Sequence, residues 1–355
     1  MKKIGIVLAI IGLAIVGSAC SLIPGSAAPK AEPKKADGGI FKSVDYGDHW
    51  LAVNTVSATE KLPASTLANT ELVFLKFHPV TKDIIYLSAS GKGIYKSTDD
   101  GETWAPTTLT SATFPSLTID ARNINVFYVI KGNTILKSID NMATWFTTYV
   151  ETRPGQKLVD IIVDPARPNT VYAASTTSVL KSTNYGNDWN LTNWKQPTIT
   201  RLYQNTVNPD ILYAITNKGI FKTTDGAVTW QDLAETLSAY TGASTIYWSS
   251  YDSKADTMVI STKYGVLRTT DGGAIWQEIF TLFEHKKITV KPVVFNQNTT
   301  STVLMAINNV IQKTYDLGVT WSSLKSIPTT RKIHYLINDP NHPDTVFAGT
   351  MVPKQ

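Results

Sequence analysis

Seven times between residues 43 and 321 the chain spells one eight-residue pattern, hydroxyl-x-Asp-x-Gly-x-x-Trp. The copies are SVDYGDHW (43–50), STDDGETW (97–104), SIDNMATW (138–145), STNYGNDW (182–189), TTDGAVTW (223–230), TTDGGAIW (269–276) and TYDLGVTW (314–321). Their tryptophans, Trp50, Trp104, Trp145, Trp189, Trp230, Trp276 and Trp321, stand 54, 41, 44, 41, 46 and 45 residues apart. A period of this length marks a unit that cannot bury its own apolar face and has to stack on its neighbours. The 355 residues therefore read as one repeat fold, not a string of unrelated domains.

Each box follows a short apolar run that carries a basic residue at a fixed place, as in GIFKS, GIYKS, TILKS, SVLKS, GIFKT, GVLRT and VIQKT. Two more apolar runs lie upstream, clearest in KLVDIIVDPARPNTVYAAST, where a DP turn separates alternating segments. With the segment after Trp this makes four strands per repeat, A to D, and the box is the C–D turn. The first box lacks preceding A and B strands, whereas KIHYLINDPNHPDTVFAGT near the C-terminus supplies A and B with no box after them. Joining the two predicts an all-β, seven-bladed β-propeller closed by a composite blade made from both chain ends.

The chemistry of the box accounts for its residues. The carboxylates of Asp45, Asp99, Asp140, Asp225, Asp271 and Asp316, and the amide of Asn184, can accept hydrogen bonds from turn amides, and Gly supplies positive φ. Met142 replaces Gly in the third box, and Gly226 is shifted by one place in the fifth. Each Trp is expected to pack between neighbouring blades. The basic residues Lys42, Lys96, Lys137, Lys181, Lys222, Arg268 and Lys313 recur in every repeat and read as scaffold, their stems laid over apolar neighbours.

The A–B and C–D turns share one face of such a disc, and the B–C and D–A connections share the other. The candidate binding face is the second, where Arg153, Lys157, Lys195, Arg201, Arg331 and Lys332 fall near the starts of A strands together with Tyr203. Trp194, Tyr240, Phe283 and Tyr335 are near them in sequence, as are Lys286 and Lys287. A basic, aromatic surface suits an acidic protein segment. A solvated rim without a partner is the alternative.

The first nineteen residues lie outside the fold. Lys2 and Lys3 precede an apolar run from Ile4 to Val16, then Gly17-Ser18-Ala19 and Cys20. This is a secretory signal, too short to span a membrane comfortably. The order resembles a bacterial lipoprotein signal, in which Cys20 becomes the lipidated first residue; Gly17 stands where that family usually has Leu. Ordinary cleavage after Ala19 is the other reading. Cys20 is the single cysteine, so no internal disulfide is available and packing must stabilise the exported domain. Residues 20–37 read as lipidated Cys and flexible tether, and 38–355 as the propeller, placing the protein outside the cytoplasm on a membrane of the cell envelope. The formal charge of +5 falls to +3 once Lys2 and Lys3 are removed, which gives little support for nucleic-acid binding.

The box repeat resembles the Asp-box (BNR-like) propellers, and the seven copies behind a lipoprotein-like signal are most similar to the photosystem II stability/assembly factor family. That resemblance implies a non-enzymatic scaffold that holds a membrane or envelope protein during complex assembly. Sialidases, two-propeller xyloglucanases and sortilin ectodomains share the boxes, so a glycan-binding or glycoside-hydrolase propeller is the alternative. The Phe-Arg-Ile-Pro motif of sialidases is absent. Asp160, Asp164, Asp210 and Glu284 show no spacing that singles out a catalytic pair. His49, His78, His285, His334 and His342 are scattered with no Cys pair, so neither a metal nor a cofactor is expected.

Overall fold

The computed structural model describes residues 37–58, 60, 63–281, 290–324 and 327–352. Cys20, Phe283, Glu284, His285, Lys286 and Lys287 lie outside them. Seven sheets follow one another, each with an antiparallel A-B-C-D blade and A innermost, and the sheet of blade 2 carries two further strands at its outer edge. Blade 4 shows the pattern: Leu158–Val163, Val171–Ser175, Ser178–Ser182 and Asn190–Leu191. The B strands are buried on both faces and read as unbroken apolar or small runs such as VYAAS and LYAIT.

Blade 1 is assembled from both ends of the described chain. Ile333–Asn338 and Val346–Thr350 supply A and B, and Ile40–Ser43 pairs antiparallel with the latter, Phe41 opposite Ala348. The blades close into a ring with one buried apolar cluster at each of the seven seams.

All seven boxes adopt one geometry. The Ser or Thr hydroxyl donates to the box Asp or Asn at 2.7–3.0 Å and accepts the N–H of the residue four places on. That fourth residue needs positive φ. Met142 (φ 70°) and Ala227 (φ 71°) take it up where Gly is missing, so the hydrogen bonds impose the turn on less suitable residues. The Thr144 hydroxyl, its N–H and the Ser138 hydroxyl all donate to Asp140 and hold that carboxyl down at about 2.

The basic residue before each box does more than lie along apolar neighbours. In six of the seven repeats it crosses the seam to the next blade's box or A–B turn. Lys42 meets Asp100 and Glu102, Lys313 meets Asp48, and Arg268 donates to Thr300. Lys137, Lys181 and Lys222 donate to the carbonyls of Tyr185, Gly226 and Gly272. Lys96 is the exception and lies over the Tyr86 ring of its own blade.

All seven box tryptophans pack at the seams, but not to equal depth. Trp50, Trp104 and Trp276 are buried, whereas Trp145, Trp189, Trp230 and Trp321 are half-exposed. The D–A connection arriving from the preceding blade decides which. Thr55–Val56 pairs antiparallel with Ser65–Thr66 and parallel with the outer strand of blade 2, and Val53, Val56 and Leu67 cover Trp104. The connection through Leu233 and Leu237 covers Trp276, and Leu324 and Ile327 pack in the cluster that buries Trp50. Residues 111–116, before Trp145, are too few to do the same.

Candidate functional site

Every A strand ends on a residue whose side chain accepts backbone N–H bonds two or three positions on and so turns the chain into strand B. These residues are His78, Asp120, Asp164, Asn205, Asp252, Asn296 and Asp339. Counting back from them gives the layers of the ring's central channel. Four positions before the turn lie Phe74, Ser116, Asp160, Arg201, Trp248 and Tyr335, and two positions before lie Lys76, Thr118, Ile162, Tyr203, Ser250 and Ile337. In five of the strands a β-bulge precedes the upper layer and fixes which way it points, between Ile199 and Arg201 for example. Residues from all seven blades line the channel, which has a volume of about 510 Å³.

Its charges are unequal. The carboxylate of Asp160 is engaged at both oxygens: Oδ1 accepts the Ser116 hydroxyl (2.6 Å) and the Ile161 N–H (2.9 Å), and Oδ2 accepts the Leu202 N–H (2.9 Å). It staples three adjacent A strands. Arg201 lies with its guanidinium carbon 5.7 Å from the Trp248 ring centroid, and neither it nor Lys76 forms an ion pair among the described residues. Burial pushes the Lys76 ammonium below its ordinary pKa; Asp160 opposes this and the Arg201 charge adds to it. Trp248 meets Tyr335 edge to face at 5.4 Å, and its indole N–H has no protein partner. Tyr203 donates to the Ser249 carbonyl at 2.9 Å.

Of the sequence-predicted binding residues, Arg201 and Tyr203 therefore line the channel. Arg153 does not join them: it is clamped on Glu151 (2.9 and 2.6 Å) and donates to Ser178. Arg331 is likewise engaged, by Asp37 at 3.1 Å, Asn69 and the Ala68 carbonyl. Lys157, Lys195 and Lys332 are exposed on D–A connections. Trp194 is buried against Phe221 and Trp230, Tyr240 donates to the Trp276 carbonyl, and Tyr335 lines the channel. Asp164 and Asp210 share Arg167 at the A–B side and do not face the channel. Sequence reading missed Lys76 and Trp248, although counting back from each turn residue would have found them.

No family model matches the chain, and no curated protein does. Solved structures do resemble it. YCF48 bound to a D1 peptide superposes with a TM-score of 0.61 at 12% identity, covering 80% of this chain and 93% of that one. YCF48 from Cyanidioschyzon merolae gives 0.61 at 12%, over 79% and 96%. The GH74 xyloglucanase from Xanthomonas campestris gives 0.62 at 13%, over 79% of this chain but 51% of that one. The chain is a seven-bladed β-propeller. Identities this low carry the fold alone, so what the propeller binds has to be argued from its own channel.

Proposed function

We propose that this propeller is a non-enzymatic, protein-binding scaffold that holds an acidic segment of a membrane or envelope protein at its channel, outside the cytoplasm and anchored through a lipid on Cys20. The observation that carries the reading is the excess of positive charge in the channel, Arg201 and Lys76 against the single carboxylate of Asp160, on a wall with Trp248, Tyr203 and Tyr335. Asp160 forms no ion pair with either cation and balances one charge of the two, so an incoming carboxylate would pair with the other. A peptide complex is known for one structural neighbour, YCF48, which supports a photosystem assembly factor-like role.

The aromatic wall and the GH74 neighbours favour a second reading, a glycan in the same channel. Hydrolysis with two carboxylates would need a pair about 5–10 Å apart across the bond. Asp160 is the one carboxylate among the described channel-lining residues.

The test is affinity and cross-linking mass spectrometry of the full chain from its native membranes, beside Arg201→Glu. Recovery of one membrane protein by the parent chain and its loss from the variant supports the scaffold. Recovery of polysaccharide by both overturns it.

A further inference from the structure

The two faces of the disc carry opposite charge. Six of the seven boxes place an Asp on the turn face. On the other face, the B–C turns carry Lys92, Lys131, Lys218 and Lys263, and the D–A connections carry Lys157, Lys195, Lys291 and Lys332, all exposed. None of these eight ammonium groups meets a carboxylate among the described residues. Five exposed or half-exposed acids among the described residues, Glu60, Glu71, Asp232, Glu235 and Glu278, stand on or beside the same connections, and Arg153 and Arg331 are cancelled by Glu151 and Asp37.

The lysines are spread around the ring and not gathered in one patch. They belong to blades 2, 3, 5 and 6 and to the connections leading into blades 4, 5, 7 and 1. One extended peptide crossing the channel mouth cannot reach them all, whereas a flat anionic surface can. The chain itself indicates where such a surface lies. Asp37 accepts hydrogen bonds from the Thr330 N–H (2.9 Å) and hydroxyl (2.6 Å) and pairs with Arg331, which pins residue 37 to the lysine face. The chain therefore enters the propeller at that face.

The geometry points to the lysine face as a docking surface for an anionic lipid bilayer, on which the disc lies flat with its channel mouth toward the membrane. Basic residues near an anionic leaflet are attracted by its surface potential, and eight act together where one would be weak. The inference is independent of any peptide ligand. If both hold, the captured acidic segment is one that emerges from the same membrane.

The experiment uses the full chain on vesicles of phosphatidylcholine alone or with phosphatidylglycerol, and no partner protein. A fluorophore is attached at Asn217, on a B–C turn, or at Val228, in a box, and energy transfer to a headgroup acceptor is read. The expected result is stronger transfer from position 217 than from 228 on anionic vesicles. That difference should vanish on phosphatidylcholine, in about 1 M salt, where the screening length falls to about 3 Å, and in the triple variant Lys131→Glu, Lys218→Glu, Lys263→Glu with an unchanged circular dichroism spectrum. Equal transfer from both positions on anionic vesicles, stronger transfer from 228, or no association with them overturns the inference. Because no partner is present, such a failure leaves the scaffold reading to its own test.

Discussion

Replacing Trp104 with Ala should destabilise the propeller far more than the same change at Trp145, although the two occupy the same place in their boxes. The Trp104 indole is 1% exposed, packs with Val53, Val56, Leu67 and Phe347, and donates to the Val53 carbonyl at 2.8 Å. Its removal takes roughly 200 Å² of apolar surface out of burial, worth about 5 kcal/mol at about 25 cal/mol per Å². Truncations of buried Trp cost about 3–5 kcal/mol in practice, so about 4 is expected. Trp145 is half-exposed and donates only to the Thr108 hydroxyl, so about 2 kcal/mol is expected there. With a urea slope of about 3 kcal/mol per M, the midpoints should fall by about 1.3 M and about 0.7 M. Far-UV circular dichroism against urea measures both. Equal shifts would refute the argument that the incoming D–A connection, and not the box, sets how much each Trp contributes.

Lys42→Met removes the ion pairs that cross from blade 1 to Asp100 and Glu102, and should cost about 2 kcal/mol, since the carboxylates it deserts are partly open to water. A double-mutant cycle with Asp100→Asn checks that this loss belongs to the seam. His78 stands where the other blades have Asp or Asn, and its Nδ1 accepts the Val80 and Thr81 N–H groups, which only the unprotonated nitrogen can do. Burial, aided by the nearby Lys96 charge, depresses its pKa below the ordinary 6.5. The unfolded chain then binds the proton more readily, so the stability from His78 is complete above pH 6.5 and is lost as pH falls through the lower folded value. Melting temperatures of His78→Asn should flatten in that window relative to the parent chain.

The blades were legible because their determinants are local. Hydroxyl, Asp and Trp sit within eight residues of each other, and the alternation of the strands flanks them. The covering strand pair Thr55–Val56 and Ser65–Thr66 was not, because two-residue strands have no periodicity and pair with a blade the sequence does not name. The cationic channel was half legible. Arg201 and Tyr203 were visible as loop residues, but Lys76 lies inside the strand Leu72–Phe77, where an interior basic residue reads as one facing solvent. Glu151 and Asp37, which neutralise Arg153 and Arg331, could be recognised only once the chain was folded. The role of the basic residue before each box was read in kind, but its reach across the seam required the register of two blades at once.

The composite blade has a consequence for how the protein is made. Gly39 and Thr350, 311 positions apart, meet in one blade, so the ring cannot shut until the strand Val346–Thr350 has been synthesised. A product that stops short of Val346 leaves the Ile40–Ser43 strand without its neighbour and exposes the apolar surface of Phe41 and Phe347's partners at two seams. Closure therefore makes the exposure of this apolar surface all-or-none, since no partial ring can bury both seams of blade 1.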